Sequence, residues 1–166
     1  MCFPRICDRM GKTGATKGGR QVDVTIRRMQ SSDADALYRL LSDPMVMRYL
    51  EPPYDRAQTE TFLRRAGLAE PPLVYAVQEG EHFIGYVIYH DYDESSVEIG
   101  WVLFPKYWGH GYASELTDRL ISWARKARKG IVIECVPEQT ETVHLAIQKG
   151  FRADGMAGGL AVYRLM

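Results

Sequence analysis

The sequence predicts an α/β fold with a mixed, mostly antiparallel sheet and helices on both faces. Short apolar segments typical of strands alternate with helical segments in the order β-α-α-β-β-β-α-β-α-β-β. Three strand-like segments in succession, between residues 73 and 103, favour antiparallel hairpins. The strand–helix–strand unit over residues 97–136 favours one parallel pair with a right-handed crossover. We therefore expect about seven strands.

The first part of this fold is predicted to be a strand followed by two helices. Apolar and polar residues alternate over residues 22–26, as in a half-buried strand. Residues 32–35 have the pattern of a capping box, and the helix after them should end before Pro44. Residues 55–58 repeat the pattern, and the second helix should end at Gly67.

The other elements follow from the spacing of apolar residues. Strands are predicted at 73–77, 82–90, 97–103, 131–136, 151–152 and 160–165, and helices at 112–127 and 141–149. Residues 78–81 between the first two of these strands are typical of a hairpin turn. The glycine-rich segment 153–159 is predicted to be a loop that acts as a lid.

Composition and charge narrow the classes of function. A chain of 166 residues, 46% of them hydrophobic, fits one domain with its own core. Its 21 basic and 21 acidic residues cancel, so overall charge gives no case for a nucleic-acid or membrane partner. No apolar segment approaches the roughly 20 residues that a membrane helix needs. Residues 1–20, rich in glycine and basic residues, are predicted to be a disordered tail before a domain at 21–166.

The three cysteines indicate a reducing compartment. Cys2 and Cys7 lie in the predicted tail and Cys135 in an apolar strand, which argues against a disulfide framework. No cysteine and histidine cluster has zinc spacing, so no metal is expected. The first residues lack the long apolar stretch of a secretory signal. We expect a cytoplasmic protein.

The segment between the strand at 97–103 and the long helix carries the clearest chemical signal. Gly109 and Gly111 precede the helix closely. A strand, a glycine turn and a helix N-terminus together favour an anion, because backbone N–H groups point outward and the helix dipole is positive there. Lys106 and His110 add donors. We interpret the segment as a pyrophosphate site, with a plain glycine turn as the alternative.

Four stretches of the chain carry a resemblance to a known family. They are residues 25–49, 98–113, 136–140 and 148–151, in that order. The second resembles the acetyl-CoA motif Arg/Gln-x-x-Gly-x-Gly/Ala, with Lys106 at its first place. Together they resemble the GNAT superfamily of N-acetyltransferases, and most closely its RimJ/RimL-like branch. The resemblance covers about residues 22–165 and implies a GNAT-like fold.

The resemblance implies acetyl-CoA as a cosubstrate and no metal. Backbone amides of the loop 106–113 would bind the pyrophosphate, and the cofactor residues there are Lys106, Tyr107, Trp108, Gly109, His110, Gly111, Tyr112 and Ala113. Val102 and Leu103, where the strand turns away from its neighbour, would hold the thioester carbonyl and pantetheine through free amides. Gln139 stands where the family usually has asparagine, and its amide would reach the pantetheine arm.

The implied reaction is direct transfer of acetyl from the thioester to a primary amine. Glu98 is the predicted proton acceptor, directly or through water, and a half-exposed strand glutamate is the alternative. Thr142, also a cofactor contact, is the predicted hydrogen-bond donor to the leaving thiolate; a simple helix cap is the alternative. Many family members place a tyrosine acid where this chain has Ala146. His90 and His144 are interpreted as ordinary core or surface histidines.

The acceptor amine is expected opposite the cofactor, at the loop 47–54. Tyr49, Glu51 and Tyr54 would form an aromatic, acidic mouth for an ammonium group, while a proline-fixed connecting loop is the alternative. The acceptor would be a protein N-terminus or a small-molecule amine. The resemblance also favours a homodimer.

Two other functions stay open. A non-catalytic acyl-CoA-binding regulatory domain is favoured by the missing tyrosine at Ala146. A nucleotide-binding module is the second, although the chain lacks Gly-x-x-x-x-Gly-Lys-Ser/Thr and has no Gly-x-Gly-x-x-Gly after a strand.

Overall fold

Seven strands form one sheet within residues 22–166, the part of the chain that the computed structural model describes. The strands are β1 (Thr25–Arg27), β2 (Val74–Glu79), β3 (His82–Asp91), β4 (Ser96–Leu103), β5 (Gly130–Cys135), β6 (Arg152–Ala157) and β7 (Leu160–Leu165). The α-helices in this region are α1 (Ala34–Leu41), α2 (Pro44–Met47), α3 (Arg56–Phe62), α4 (Tyr112–Lys126) and α5 (Thr140–Gln148). The tail predicted at 1–20 lies outside the described residues. None of the helices in residues 22–166 is long and apolar enough to cross a membrane.

The order of the strands in the sheet is β1-β2-β3-β4-β5-β7-β6. Neighbouring strands are antiparallel except β4 and β5, which run parallel and are connected through α4. The predicted fold class is therefore confirmed, including the single parallel pair.

The parallel pair is short, which opens a gap in the sheet. The register pairs Ser96 with Gly130 and ends where Glu98 meets Val132. Residues 99–103 of β4 pair with β3 on their other side and have no partner on β5. Beyond Glu98 the two strands diverge, as the resemblance implies, so one edge of β4 borders a gap.

The helices build a separate core on each face of the sheet. On the face that we call the α4 face, α4 and α5 contribute Leu116, Leu120 and Ala146. On the opposite face, the α1 face, α1 and α3 with the turn after it contribute Leu37, Leu40 and Leu63. Strand β4 serves both cores, because Ile99 and Leu103 pack on the α4 face and Val102 on the α1 face. Glu98 and Gly100 alternate with Ile99, and they therefore lie on the α1 face.

The start of α1 differs from the predicted capping box at 32–35. The Asp33 carboxylate instead accepts a hydrogen bond from the Gln30 backbone N–H at 2.8 Å. Asp33 is buried, and its carboxylate also forms an ion pair with the Arg27 guanidinium on β1 at 2.8 Å. The box lies two residues earlier than predicted, because the sequence pattern carries no sign of the charge that Arg27 supplies from β1.

The prediction of a loop over residues 153–159 is wrong. Residues Arg152–Ala157 form β6, an edge strand paired with β7, and only Gly158 and Gly159 make the turn. The register shifts between Ala153 and Met156, where Gly155 has φ of 90°. A glycine inside a strand often marks a bulge, and here the glycine content suggested a loop.

Candidate active site

The glycine turn forms an open cradle at the N-terminus of α4. Gly109 and Gly111 have φ of 70° and 88°, a left-handed conformation that side chains rarely allow. No atom lies within 4 Å of the position that a Cβ would take on either glycine. Gly111 is the N-cap of α4 and has no side chain to cap the first N–H groups. The cradle therefore leaves room for an anion beside the backbone, and the pyrophosphate site stays a prediction.

Aromatic side chains hold the loop that carries the cradle. Trp108 donates its Nε1–H to the Leu103 carbonyl oxygen at 2.9 Å. The buried Tyr107 ring packs edge-on against Tyr112, with 5.1 Å between ring centroids. The Tyr112 hydroxyl donates to Glu79 on β2. These side chains shape the loop, which leaves ligand contacts mainly to its backbone.

Two exposed hydrogen-bond donors stand beside the cradle. Lys106 and His110 are exposed and form no ion pair within residues 22–166. The Lys106 ammonium lies 5.0 Å from the centroid of the Tyr107 ring. Lys106 also borders a groove of about 640 Å³ on the α1 side, with Arg39 and His82. Lys106 therefore lies between the cradle and the groove, and no carboxylate of the described residues neutralises its charge.

Helix α5 presents the remaining predicted cofactor contacts. Gln139 is its N-cap residue and Thr142 lies in its first turn; both are half-buried. Neither side chain forms a hydrogen bond with any described residue. The capping alternative for Thr142 is therefore wrong. Ala146 is fully buried in the α4-face core and offers no acid.

Glu98 pairs with a histidine that sequence analysis interpreted as ordinary. His90 on β3 lies directly opposite Glu98 on β4. The His90 Nε2 lies 3.3 Å from the Glu98 Oε2, and the Nδ1 lies 3.0 Å from the Asp91 carbonyl oxygen. Two acceptor oxygens suit the imidazolium, in which both nitrogens donate. The hydrogen bond with Glu98 raises the pKa of His90, although burial opposes this.

The loop between α2 and α3 brings two of the three predicted acceptor residues together. The Tyr54 hydroxyl donates to the Glu51 carboxylate. Burial, followed by this hydrogen bond, raises the pKa of Tyr54 to about 12. Asp55 and Gln58 then cap α3 reciprocally, each side chain accepting from the other's N–H at 2.8 Å, as predicted. The cap holds the end of the loop at a defined place.

The third predicted residue, Tyr49, has a different partner. The Arg48 guanidinium lies 5.0 Å from the centroid of the half-buried Tyr49 ring. Arg48 and Glu51 also line a groove of about 340 Å³ between prolines of the loop. Tyr49 therefore contacts Arg48 and is not part of the Glu51–Tyr54 hydrogen-bonded pair.

Sequence analysis missed a tyrosine on the α1 face. Tyr86 lies on β3 opposite Val102. Its ring centroid is 5.4 Å from that of Phe62, which is 6.3 Å from that of Tyr54. The three rings form an aromatic row from Tyr54, in the loop between α2 and α3, to Tyr86 on β3. A tyrosine in an apolar strand gives no sign from sequence alone that its ring meets a loop 30 residues away.

The strand gap and the glycine cradle both lie within a segment that matches a known protein family. The profile of the acetyltransferase (GNAT) domain matches residues 23–152. This chain belongs to the GNAT acetyltransferase family. The predicted family and the predicted class of enzyme, an N-acetyltransferase, are confirmed.

Curated relatives of this GNAT domain carry the same class name. The uncharacterized N-acetyltransferase YnaD of Bacillus subtilis (strain 168) is 27% identical over 135 residues, 78% of this chain and 79% of the relative. The uncharacterized N-acetyltransferase p20 of Bacillus licheniformis is 30% identical over 145 residues, 80% and 81% of the two chains.

Solved structures share the fold. A GNAT-family acetyltransferase from Bacillus anthracis has a TM-score of 0.76 at 24% identity, over 86% of this chain and 94% of the other. RimL, a ribosomal L7/L12 α-N-protein acetyltransferase in complex with coenzyme A, has a TM-score of 0.74 at 17% identity, over 88% and 96%. Spermidine N-acetyltransferase from Vibrio cholerae, in complex with CoA and spermine, has a TM-score of 0.70 at 22% identity, over 85% and 92%.

Proposed function

We propose that this GNAT domain transfers the acetyl group of acetyl-CoA to a primary amine by direct attack in a ternary complex. The observation that carries the proposal is the gap between β4 and β5, which begins beyond Glu98 and leads along β4 to the glycine cradle. A thioester in this gap would have its pyrophosphate at the N-terminus of α4 and its acyl end on β4, on the side that leads towards Glu98.

The cofactor contacts follow from that placement. The cradle amides around Gly109 and Gly111 hold the pyrophosphate, with Lys106 and His110 as additional donors. Backbone groups of β4 along the gap, at Val102 and Leu103, hold pantetheine and the thioester carbonyl. The amide of Gln139 contacts the pantetheine arm from α5. The cofactor supplies the activated acetyl group.

Glu98 is the proposed proton acceptor for the amine. An alkylammonium does not attack a thioester, so its proton must leave first. The His90 pair holds Oε2 of Glu98, and Oε1 forms no hydrogen bond with the described residues. Oε1 is therefore the atom that takes the proton, directly or through a water. The Thr142 hydroxyl stabilises the leaving thiolate through a hydrogen bond.

The acceptor is proposed to bind on the α1 face, at the Glu51–Tyr54 pair. A carboxylate next to aromatic rings attracts a cationic head group through charge and through the ring faces. Both candidate classes of acceptor, a protein N-terminus and a small amine such as a polyamine, present such a group. Two structural relatives act on these two classes by their names.

The test is release of free thiol from acetyl-CoA with a panel of amines. The panel contains an alanine-starting peptide, a serine-starting peptide, spermidine and an aminoglycoside. We expect amine-dependent thiol release with one class, and calorimetric titration should show CoA binding. Absence of CoA binding would contradict the site assignment.

A non-catalytic acyl-CoA-binding domain is the second candidate. The burial of Ala146 favours it, because this position supplies no acid to the leaving thiolate. It predicts CoA binding with no thiol release above the rate without protein for every amine in the panel. Turnover with any one amine excludes it.

A further inference from the structure

The Tyr86 hydroxyl is a polar group for which the fold supplies no partner. The residue is only 5% exposed, yet its hydroxyl forms no hydrogen bond with any residue from 22 to 166. Within the same residues no buried side-chain nitrogen or oxygen is left unsatisfied. The hydroxyl oxygen therefore lies at the open end of a buried ring, where it reaches solvent space rather than packed core.

This hydroxyl is directed towards the proposed acceptor site. The Tyr86 ring stands on the α1 face of the sheet, opposite Val102 on the strand that borders the gap. The aromatic row links it through Phe62 to Tyr54. Burial, together with the nearby Tyr54 hydroxyl and Glu51 carboxylate, raises the pKa of Tyr86. The group thus stays a neutral hydroxyl, able both to accept and to donate a hydrogen bond.

We propose that the Tyr86 hydroxyl binds the acceptor amine and, with the Glu51 carboxylate, completes a site for a cationic primary amine. The aromatic row forms the wall of this site, and Tyr86 lies at its end nearest β4. The proposal rests on the proposed acetyl transfer and narrows its substrate class.

Glu51 and Tyr86 would interact with different protonation states of the amine. Glu51 attracts the ammonium form to the mouth of the site by its negative charge. The Tyr86 hydroxyl accepts an N–H from the amine whether the amine is charged or neutral, so it can hold the head group after the proton has left. Because this hydroxyl has no partner in residues 22–166, a bound amine can form the hydrogen bond without displacing one within the protein.

The test compares Tyr86→Phe with Tyr89→Phe. Tyr89 lies on the same strand but on the α4 face, with its ring centroid 5.6 Å from that of Trp123. Steady-state kinetics with spermidine and with an alanine-starting peptide should show a KM for the amine about tenfold higher in Tyr86→Phe, the effect of one lost hydrogen bond. We expect kcat to change less than about threefold, and CoA affinity and Tm to stay unchanged, because the hydroxyl bonds nothing in the protein. Tyr89→Phe should behave as wild type.

Three results would overturn the proposal. An unchanged amine KM would remove the hydroxyl from the site. A fall in kcat with constant KM would make Tyr86 a group that acts on the thioester. A clear fall in Tm would assign it a structural role.

Failure of the proposed function can be separated from failure of this inference. If wild type turns over neither amine, calorimetric binding of spermidine to the protein–CoA complex replaces kinetics. Weaker binding in Tyr86→Phe than in Tyr89→Phe supports the site even without turnover. Equal binding in the two variants, or no binding to wild type, contradicts it.

Discussion

At the scale of single residues, the His90–Glu98 pair links the proposed chemistry to pH. Besides Glu98, His90 faces the Asp91 carbonyl oxygen. The Asp91 carboxylate in turn lies 3.3 Å from the Lys129 ammonium. The pair is about three-quarters buried on both sides, so solvent weakens it little. One carboxylate oxygen is held by the imidazole and the other is left to the reaction.

Glu98→Gln should lower turnover strongly and change the pH profile of kcat/KM, because the amide cannot take a proton from the amine. Calorimetric CoA affinity should be unchanged, since Glu98 lies at the closed end of the gap. Glu60→Gln, an exposed carboxylate on α3, is the control. A wild-type pH profile in Glu98→Gln would assign Glu98 a structural role only.

The His90 pKa should fall in Glu98→Gln, as followed by the imidazole proton shifts in NMR titration. A raised pKa in the folded state adds stability below the unfolded pKa, and this is lost as pH rises through the folded pKa. Wild type should therefore exceed Glu98→Gln in unfolding free energy by more at about pH 6 than at about pH 9. A difference that grows with pH would contradict the pair.

Thr142→Ala should reduce kcat by roughly ten- to a hundredfold if its hydroxyl stabilises the thiolate. Thr140→Ala is the matched control, at the exposed first position of the same helix. The helix should be equally stable in both, because the Thr142 hydroxyl forms no cap. Equal kcat in the two variants would remove Thr142 from the mechanism.

At the scale of elements, strand β4 combines three tasks because its residues alternate between two faces and its edges differ along its length. One face completes the α4-face core and the other, the α1 face, carries Glu98 and its partner strand residue His90. The edge pairs with β5 only as far as Glu98 and is then free for a ligand. The loop after it ends in glycines, so the strand leads directly to the cradle.

Gly109→Glu should abolish CoA binding, since it places bulk and negative charge where the pyrophosphate binds. The free protein has open space there, so the new side chain meets no neighbour, although it strains the backbone at this positive φ. Gly158→Glu is the matched control, because Gly158 also has positive φ, 56°, and open space, but lies in the β6–β7 turn. Calorimetric CoA affinity that is equal in both variants would contradict the cradle.

At the scale of the whole molecule, we propose that residues 21–166 form the complete acetyltransferase domain. Deletion of residues 1–20 should leave Tm and CoA affinity unchanged. The sheet begins at Thr25, and the core residue Val24 precedes it directly. A marked loss of either property would show that the segment belongs to the domain.

Local patterns along the chain were enough for the architecture and the cradle. Alternation and helical spacing predicted all the strands and the long helices, and the glycine pair predicted a turn directly before α4. These succeeded because both depend on residues close together in sequence, where backbone geometry and side-chain size act directly. The β6 strand was predicted too short and the α1 cap was misplaced, since β7 and Arg27 decide them.

Only the tertiary structure decided which side chains meet across elements. The turn predicted from sequence, at residues 91–96, would have placed His90 opposite residue 97. In the structure the register pairs His90 with Glu98. Tyr86 meets the acceptor loop only because α3 packs on the sheet through Phe62. Sequence alone determined the fold and the glycine turn before α4, whereas packing between distant segments decided the aromatic row at Tyr86 and the partner of the proposed base.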